Sequence, residues 1–151
     1  MSERDASEDI MRATHRALCQ HGYADLTMQD IADESSKSKA ALHYHYDSKH
    51  ELLCAFLEYL YDRFVERTSD IEAERPDEQL FELVGVILEK SENKSERFET
   101  ALLEIRAQAP YEPGFRERLT RFETYLVEEL TAILEAGLAD GTFDADIDPA
   151  D

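Results

Sequence analysis

Three of the five lysines in this 151-residue chain, Lys37, Lys39 and Lys49, fall within residues 35–50, beside His43, His45 and His50 and a single acid, Asp47. The remainder has the opposite balance, since 16 Lys+Arg against 35 Asp+Glu leave the whole chain at −19 with His neutral. A polyanion partner requires a local cationic surface, because phosphate contacts supply most of non-specific affinity. In so acidic a chain, a reversal of sign over sixteen residues points to an anion-facing site rather than a chance cluster on a solvated loop.

Other candidate chemistry is thin. His15 and Cys19 stand at i, i+4, half of a metal site, but four-coordinate zinc needs further ligands that no spacing supplies. His43 and His45 are two apart and diverge on a helix. Cys19 and Cys54 make neither a disulfide scaffold nor a zinc ribbon. The chain has no Gly-rich phosphate loop, no Gly-x-Ser-x-Gly and no His-Glu-x-x-His. No catalytic residue, metal site or cofactor is therefore expected, and an enzyme is not the expected class.

The elements that must carry the cationic segment are helical, with no convincing period-two strand. A first helix is expected over about Ser7–His21, with Gly22 as its stop. Thr27 and Asp30 have the spacing of a capping box for a short second helix whose Met28, Ile31 and Ala32 face inward. Ser35-Ser36-Lys37 is a polar break. Ser38 then caps a third helix that turns Ala41 and Leu42 to the core and leaves Ser38, Lys39, Ala40 and His43 outward, with Tyr44 and His45 at its end. Two short helices across a three-residue break have helix-turn-helix spacing, here over about 28–47. A long fourth helix is expected to start near Lys49 and to bury Leu52, Leu53, Phe56, Leu60 and Phe64, closing in the polar stretch from Asp70 to Pro76. Longer helices follow over about Asp77–Lys90, Glu96–Ala109 and Phe115–Ala139. Ser91–Ser95 separates the first two, and the Asp-Pro near the chain's end is a start signal for another helix.

With 42% hydrophobic residues the chain can fold, and the absence of an apolar run of membrane length or a basic-apolar leader leads to the expectation of a soluble, cytoplasmic protein without a membrane partner. Dispersed Asp and Glu with little Lys resemble the surfaces of proteins from salt-in halophiles, where salt screens acidic self-repulsion.

Gly22-Tyr23, then Leu26-Thr27-Met28-Gln29-Asp30-Ile31-Ala32, then Ser38-Lys39-Ala40-Ala41-Leu42-His43-Tyr44-His45-Tyr46, then Ser48-Lys49-His50-Glu51-Leu52 together resemble the N-terminal DNA-binding domain of TetR-family transcriptional regulators. The likeness covers about residues 8–66. The chain departs from the family's usual run at the turn, where Ser36 and Lys37 replace Gly and an apolar residue. It departs again in the recognition helix, with Ala40 and Ala41 for Gly-Thr, His43 for the first aromatic and Tyr46 for Phe.

The resemblance implies an all-α, two-domain regulator. Residues 8–66 bind double-stranded DNA, and 67–151 form an incomplete helical domain that binds a small-molecule effector and dimerises. It implies a homodimeric, ligand-responsive repressor on a palindromic operator, and about two further helices beyond Asp151, so a truncated chain is expected. A helical protein-interaction module without DNA specificity is the alternative, but it leaves the lysine cluster unexplained. Thr27, by correspondence, touches a phosphate as well as capping its helix. Lys49, a cation at a helix N-terminus, is disfavoured by the dipole unless phosphate lies opposite. The expected DNA-facing set is Thr27, Lys37, Ser38, Lys39, Ala40, His43, Tyr44, His45 and Lys49. The expected effector pocket is lined by Phe81, Phe98, Leu102, Ile105, Arg106, Tyr111, Phe122 and Tyr125.

Overall fold

Ser2 begins the first helix, and this moves the expected boundary. Its hydroxyl accepts from the Asp5 amide while the Asp5 carboxylate accepts from Ser2, so the reciprocal box starts α1 at Glu3 (Glu3–His21) instead of Ser7. A computed structural model describes residues 2–92, 96–144, 146 and 148–150, and the described elements are all helical. The remaining helices are α2 (Met28–Glu34), α3 (Lys39–His45), α4 (Lys49–Ser69), α5 (Pro76–Glu92), α6 (Glu96–Gln108) and α7 (Pro113–Ala139). Part of the expected polar break at Ser91–Ser95 lies outside the described residues. So do Ala145, Ile147 and Asp151 of the tail, where Pro149 and Ala150 form a turn.

The chain divides into two compact units, Met1–Leu60 with Lys94–Leu119, and Tyr61–Asn93 with Thr120–Asp151. In the first, α1 packs on α2 and α6, and α2 on α3. Ile10, Leu18, Ile31, Leu42, Leu52, Leu53, Phe56, Phe98, Ile105 and Phe115 are all buried there. These residues recur at three and four along each helix, which is why each helix has one apolar face to bury. Phe98 lies tilted against His15 with centroids 4.2 Å apart and meets Phe56 edge-on at 6.3 Å. Phe115 lies tilted against His50 with centroids 4.6 Å apart and meets Tyr23 edge-on. Beside it, a Cβ at Gly114 would stand 2.9 Å from the Cys54 sulfur, so a side chain there would have to push Cys54 aside.

The second unit is built around Phe64 and Leu83. Phe122 lies tilted against Phe64 with centroids 4.7 Å apart, and Tyr125 meets Tyr61 and Phe64 edge-on. The Tyr125 and Thr68 hydroxyls are hydrogen-bonded at 2.5 Å. The end of α7 is folded back by Gly141 in the left-handed region, which brings the Phe143 ring against Gly137 where any Cβ would clash at 2.1 Å.

Candidate nucleic-acid interface

The turn between α2 and α3 is made by three serines with three different tasks. Ser35 ends α2: its amide donates to the Ala32 carbonyl at 3.0 Å, and its hydroxyl lies within bonding distance of the Ala32 and Lys37 carbonyls while accepting from the Lys37 amide. Ser36 leaves the turn to bond α1, its amide and hydroxyl both donating to Asp9 Oδ2, at 3.1 and 2.8 Å. Ser38 caps α3, accepting from the Ala41 amide at 3.1 Å. Thr27 and Asp30 form the reciprocal box that starts α2. Partial burial pushes the Asp30 carboxyl up, but the bonds from the Thr27 side chain and amide outweigh it and hold the group below the usual carboxylate range.

Around this frame the expected residues take distinct positions. Leu42 is buried, and Ala41 and Tyr46 are half-buried, so one side of α3 is seated on the core. Thr27, Ser38, Lys39, Ala40, His43, Tyr44 and His45 are exposed, and Lys37 is half-buried. Tyr44 is 87% exposed, an unusual cost for an aromatic ring; its ring meets His45 edge-on at 5.4 Å. Ala40, the smallest of the exposed residues of α3, lies between Lys39 and His43 in its sequence.

Lys49 is tied to the chain preceding α2. Its ammonium donates to the Tyr23 carbonyl at 2.8 Å and lies 4.9 Å from the Tyr23 ring centroid. Partial desolvation lowers its pKa, opposed by Asp25 and Asp30. The cation at the start of α4 thus has an intrachain partner, so its unfavourable helix position alone does not demand a phosphate.

Several residues near the interface had no signal in the sequence. Asp9 reaches Ser36 across 27 residues, and the Arg16 guanidinium donates to the Glu34 carbonyl at 2.7 Å and pairs with its carboxylate, which Gln20 also bonds. The Arg97 guanidinium of α6 donates to the Gln20 carbonyl. His50, Cys54 and Glu112 also come together: His50 Nε2 lies 3.6 Å from the Cys54 sulfur, and Nδ1 lies 3.7 Å from Glu112. Burial pushes the Cys54 thiol up, away from the thiolate that reactivity needs.

The eight residues expected to line an effector pocket are divided between the units. Phe98 and Ile105 are buried in the first unit's core, Leu102 packs against that core, and Arg106 and Tyr111 are exposed. Phe122 and Tyr125 pack in the second unit, where Phe81 is 81% exposed. The second unit also holds an open groove of about 510 Å³ lined by Arg67, Asp70, Ile71, Glu82, Gly85, Val86 and Leu88. Phe81 borders a neighbouring hollow with Asp77, Glu78 and Glu82.

A short exposed helix, seated by Leu42 after a hydrogen-bonded turn, has the arrangement of a helix-turn-helix motif. Residues 10–56 match the family model for bacterial regulatory proteins of the tetR family. The crystal structure of a TetR transcription regulator from Haloarcula marismortui is 46% identical with a TM-score of 0.89, over 97% of this chain and 77% of that one. The HTH-type transcriptional repressor AcnR of Corynebacterium efficiens is 24% identical over 143 residues, 95% of this chain and 71% of AcnR. A regulator from Saccharomonospora viridis, solved in complex with choline, shares the fold with a TM-score of 0.84 at 23% identity, over 97% of this chain and 77% of that one. The chain belongs to the TetR family and is a DNA-binding transcriptional regulator. No described helix is long and apolar enough to cross a membrane.

Proposed function

We propose that the chain is a ligand-responsive repressor that binds a palindromic operator as a homodimer in the cytoplasm of a halophile. The observation that carries this reading is the exposed α3 with Lys37 and Lys39 at its entry, a cationic patch on a chain of net charge −19. The 46% identity to the Haloarcula regulator supports the halophilic setting, and the repressor role is supported by the name of the AcnR relative. In this reading Ser38, Lys39, Ala40, His43 and Tyr44 face base edges and phosphates, while Thr27, Lys37, His45 and Lys49 contact the backbone. DNA recognition is assigned to 8–66 and effector binding with dimerisation to 67–151.

The effector would be a small organic molecule, a class to which the choline in the complex of the Saccharomonospora neighbour belongs. The groove at Arg67, Asp70 and Glu82, with Ile71, Val86 and Leu88 as apolar walls, suits one with a cationic or zwitterionic head. An effector shifts operator affinity only as far as it prefers one separation of the two recognition helices over the other.

A duplex titration in molar potassium chloride tests the interface. The double variant Lys37→Glu with Lys39→Glu should lose about tenfold or more in affinity on every duplex, because two phosphate contacts become repulsive. Its thermal midpoint should stay within a few degrees of the parent. Unchanged binding would contradict the reading and favour a helical interaction module.

A further inference from the structure

We propose that Asp9 is a positioning residue for operator recognition: from α1, its carboxylate holds Ser36 in the turn and so sets the angle at which α3 meets DNA. The proposal rests on the DNA-binding reading and adds a determinant outside the helix-turn-helix itself.

α3 is short and has a small buried footing. The helix has seven residues, and of these Leu42 alone is fully buried. A seven-residue helix seated by Leu42, with half-buried Ala41 and Tyr46 beside it, can still tilt on so short a footing, so its orientation depends on how its two ends are tied. At the entry, Ser35 and Ser38 bond within the turn and its helices, which shapes the segment without attaching it to another element. Attachment comes from α1. Asp9 accepts two hydrogen bonds from Ser36, at 3.1 Å from the amide and 2.8 Å from the hydroxyl. About two to three turns further along α1, Arg16 and Gln20 hold Glu34 at the end of α2. The two grips fall on either side of Ser35, one on the last residue of α2 and one within the break.

Ser36 stands where the resembling family commonly has glycine. Among the described residues no non-glycine has a positive φ, so this turn makes no conformational demand for glycine. The serine instead supplies the second of the two donors that Asp9 receives. Charge makes the arrangement more telling. A carboxylate beside Lys37, next to a surface meant for phosphate, weakens DNA binding by simple repulsion. Its position there is accounted for by the bonds it makes, because hydrogen bonds to an ionised acceptor are the stronger kind.

Removing Asp9 therefore has two effects of opposite sign. The tie is lost, which penalises a sequence that needs α3 at one angle. A repulsive charge is lost, which favours every duplex equally. A role confined to folding would lower both affinities together, in step with stability.

The test uses the full chain, the duplex it most enriches from a random pool, and a scrambled duplex of the same composition. Asp9→Ala should lower affinity for the enriched duplex about fivefold, with scrambled affinity equal or higher. Asp9→Asn keeps a carbonyl acceptor and removes the charge, and should recover most of the enriched-duplex affinity. Ser36→Ala, which leaves α1 untouched and removes the hydroxyl donor, should shift the ratio the same way by a smaller factor, and serves if Asp9→Ala does not fold. Amide exchange at Ser36 should quicken in Asp9→Ala. Equal losses on both duplexes that track the thermal midpoint, or no change in the ratio in either the Asp9 or the Ser36 variant, would overturn the proposal. A parent chain that does not distinguish the two duplexes would overturn the DNA-specific reading before any variant is made, and the proposal with it.

Discussion

Of the buried apolar side chains described, all but Phe64, Pro76 and Leu83 belong to the first unit. The second unit leaves Phe81, Val84 and Leu88 exposed at i, i+3 and i+7 along α5, and Val127 exposed on α7. The charge is divided in the same sense, with the cationic run at residues 35–50 in the first unit and most of the excess acid after residue 60. The contrast teaches what each region has to do alone. Reading base edges demands a helix held within a fraction of an ångström, and a dense core supplies that rigidity. A region with few buried side chains and an exposed apolar stripe lies closer to the threshold of order, where burial by a ligand or another chain changes its population most.

The largest expected effect tests the core directly. Phe98→Ala should destabilise by about 3–5 kcal/mol, because the ring fills the space between His15 and Phe56. Phe81→Ser on the exposed face of α5 should stay within about 0.5 kcal/mol. Denaturant melts of both variants in molar salt check the contrast, and equal losses would break it.

Salt gives the next effect. At −19 the folded chain should gain stability from screening, with a thermal midpoint that rises by about ten degrees or more from low to molar salt. A midpoint that stays flat would remove the argument for a halophilic surface.

Thr27→Ala should cost about 1 kcal/mol through the lost cap of α2. Lys49→Ala should cost a similar amount, since it removes the bond to the Tyr23 carbonyl, and should weaken all duplexes by one common factor if the amine also serves phosphate. A loss confined to the enriched duplex would contradict the phosphate role.

The smallest effect is on pH. Bonds from Ser36 hold the Asp9 carboxyl below its ordinary value, so the native state favours the ionised form. Its contribution is complete above the unfolded pKa near 3.8 and is lost as pH falls through the lower folded value. An acid titration of stability should be shallower in Asp9→Ala than in the parent across that window.

Much of this was legible in the residues. Caps such as Thr27 with Asp30 and Ser38 are local signals, and the observed starts of α2 and α3 follow from them. Ser2 with Asp5 carries the same signal, but the apolar rhythm begins only near Ile10, and weighing rhythm over capping placed α1 too late. The cationic segment was visible as a run in sequence. The hold of Asp9 on Ser36, the Tyr23 carbonyl beneath Lys49 and the meeting of His50 with Glu112 were not, because each joins positions between 26 and 62 residues apart that only packing brings together. The aromatic residues expected around an effector show the converse limit. Helical spacing marks a side chain as inward-facing, but it does not tell a cavity wall from solid core, and Phe98 and Ile105 are fully buried.

The central claim is that an acidic chain carries one surface made to read DNA. The most direct test is selection of bound sequences from a random duplex pool by the unaltered chain in molar potassium chloride. The account predicts enrichment of a two-fold symmetric motif, with half-sites spaced to suit two recognition helices. A pool that emerges without enrichment, from a chain shown to be folded in the same buffer, would contradict it.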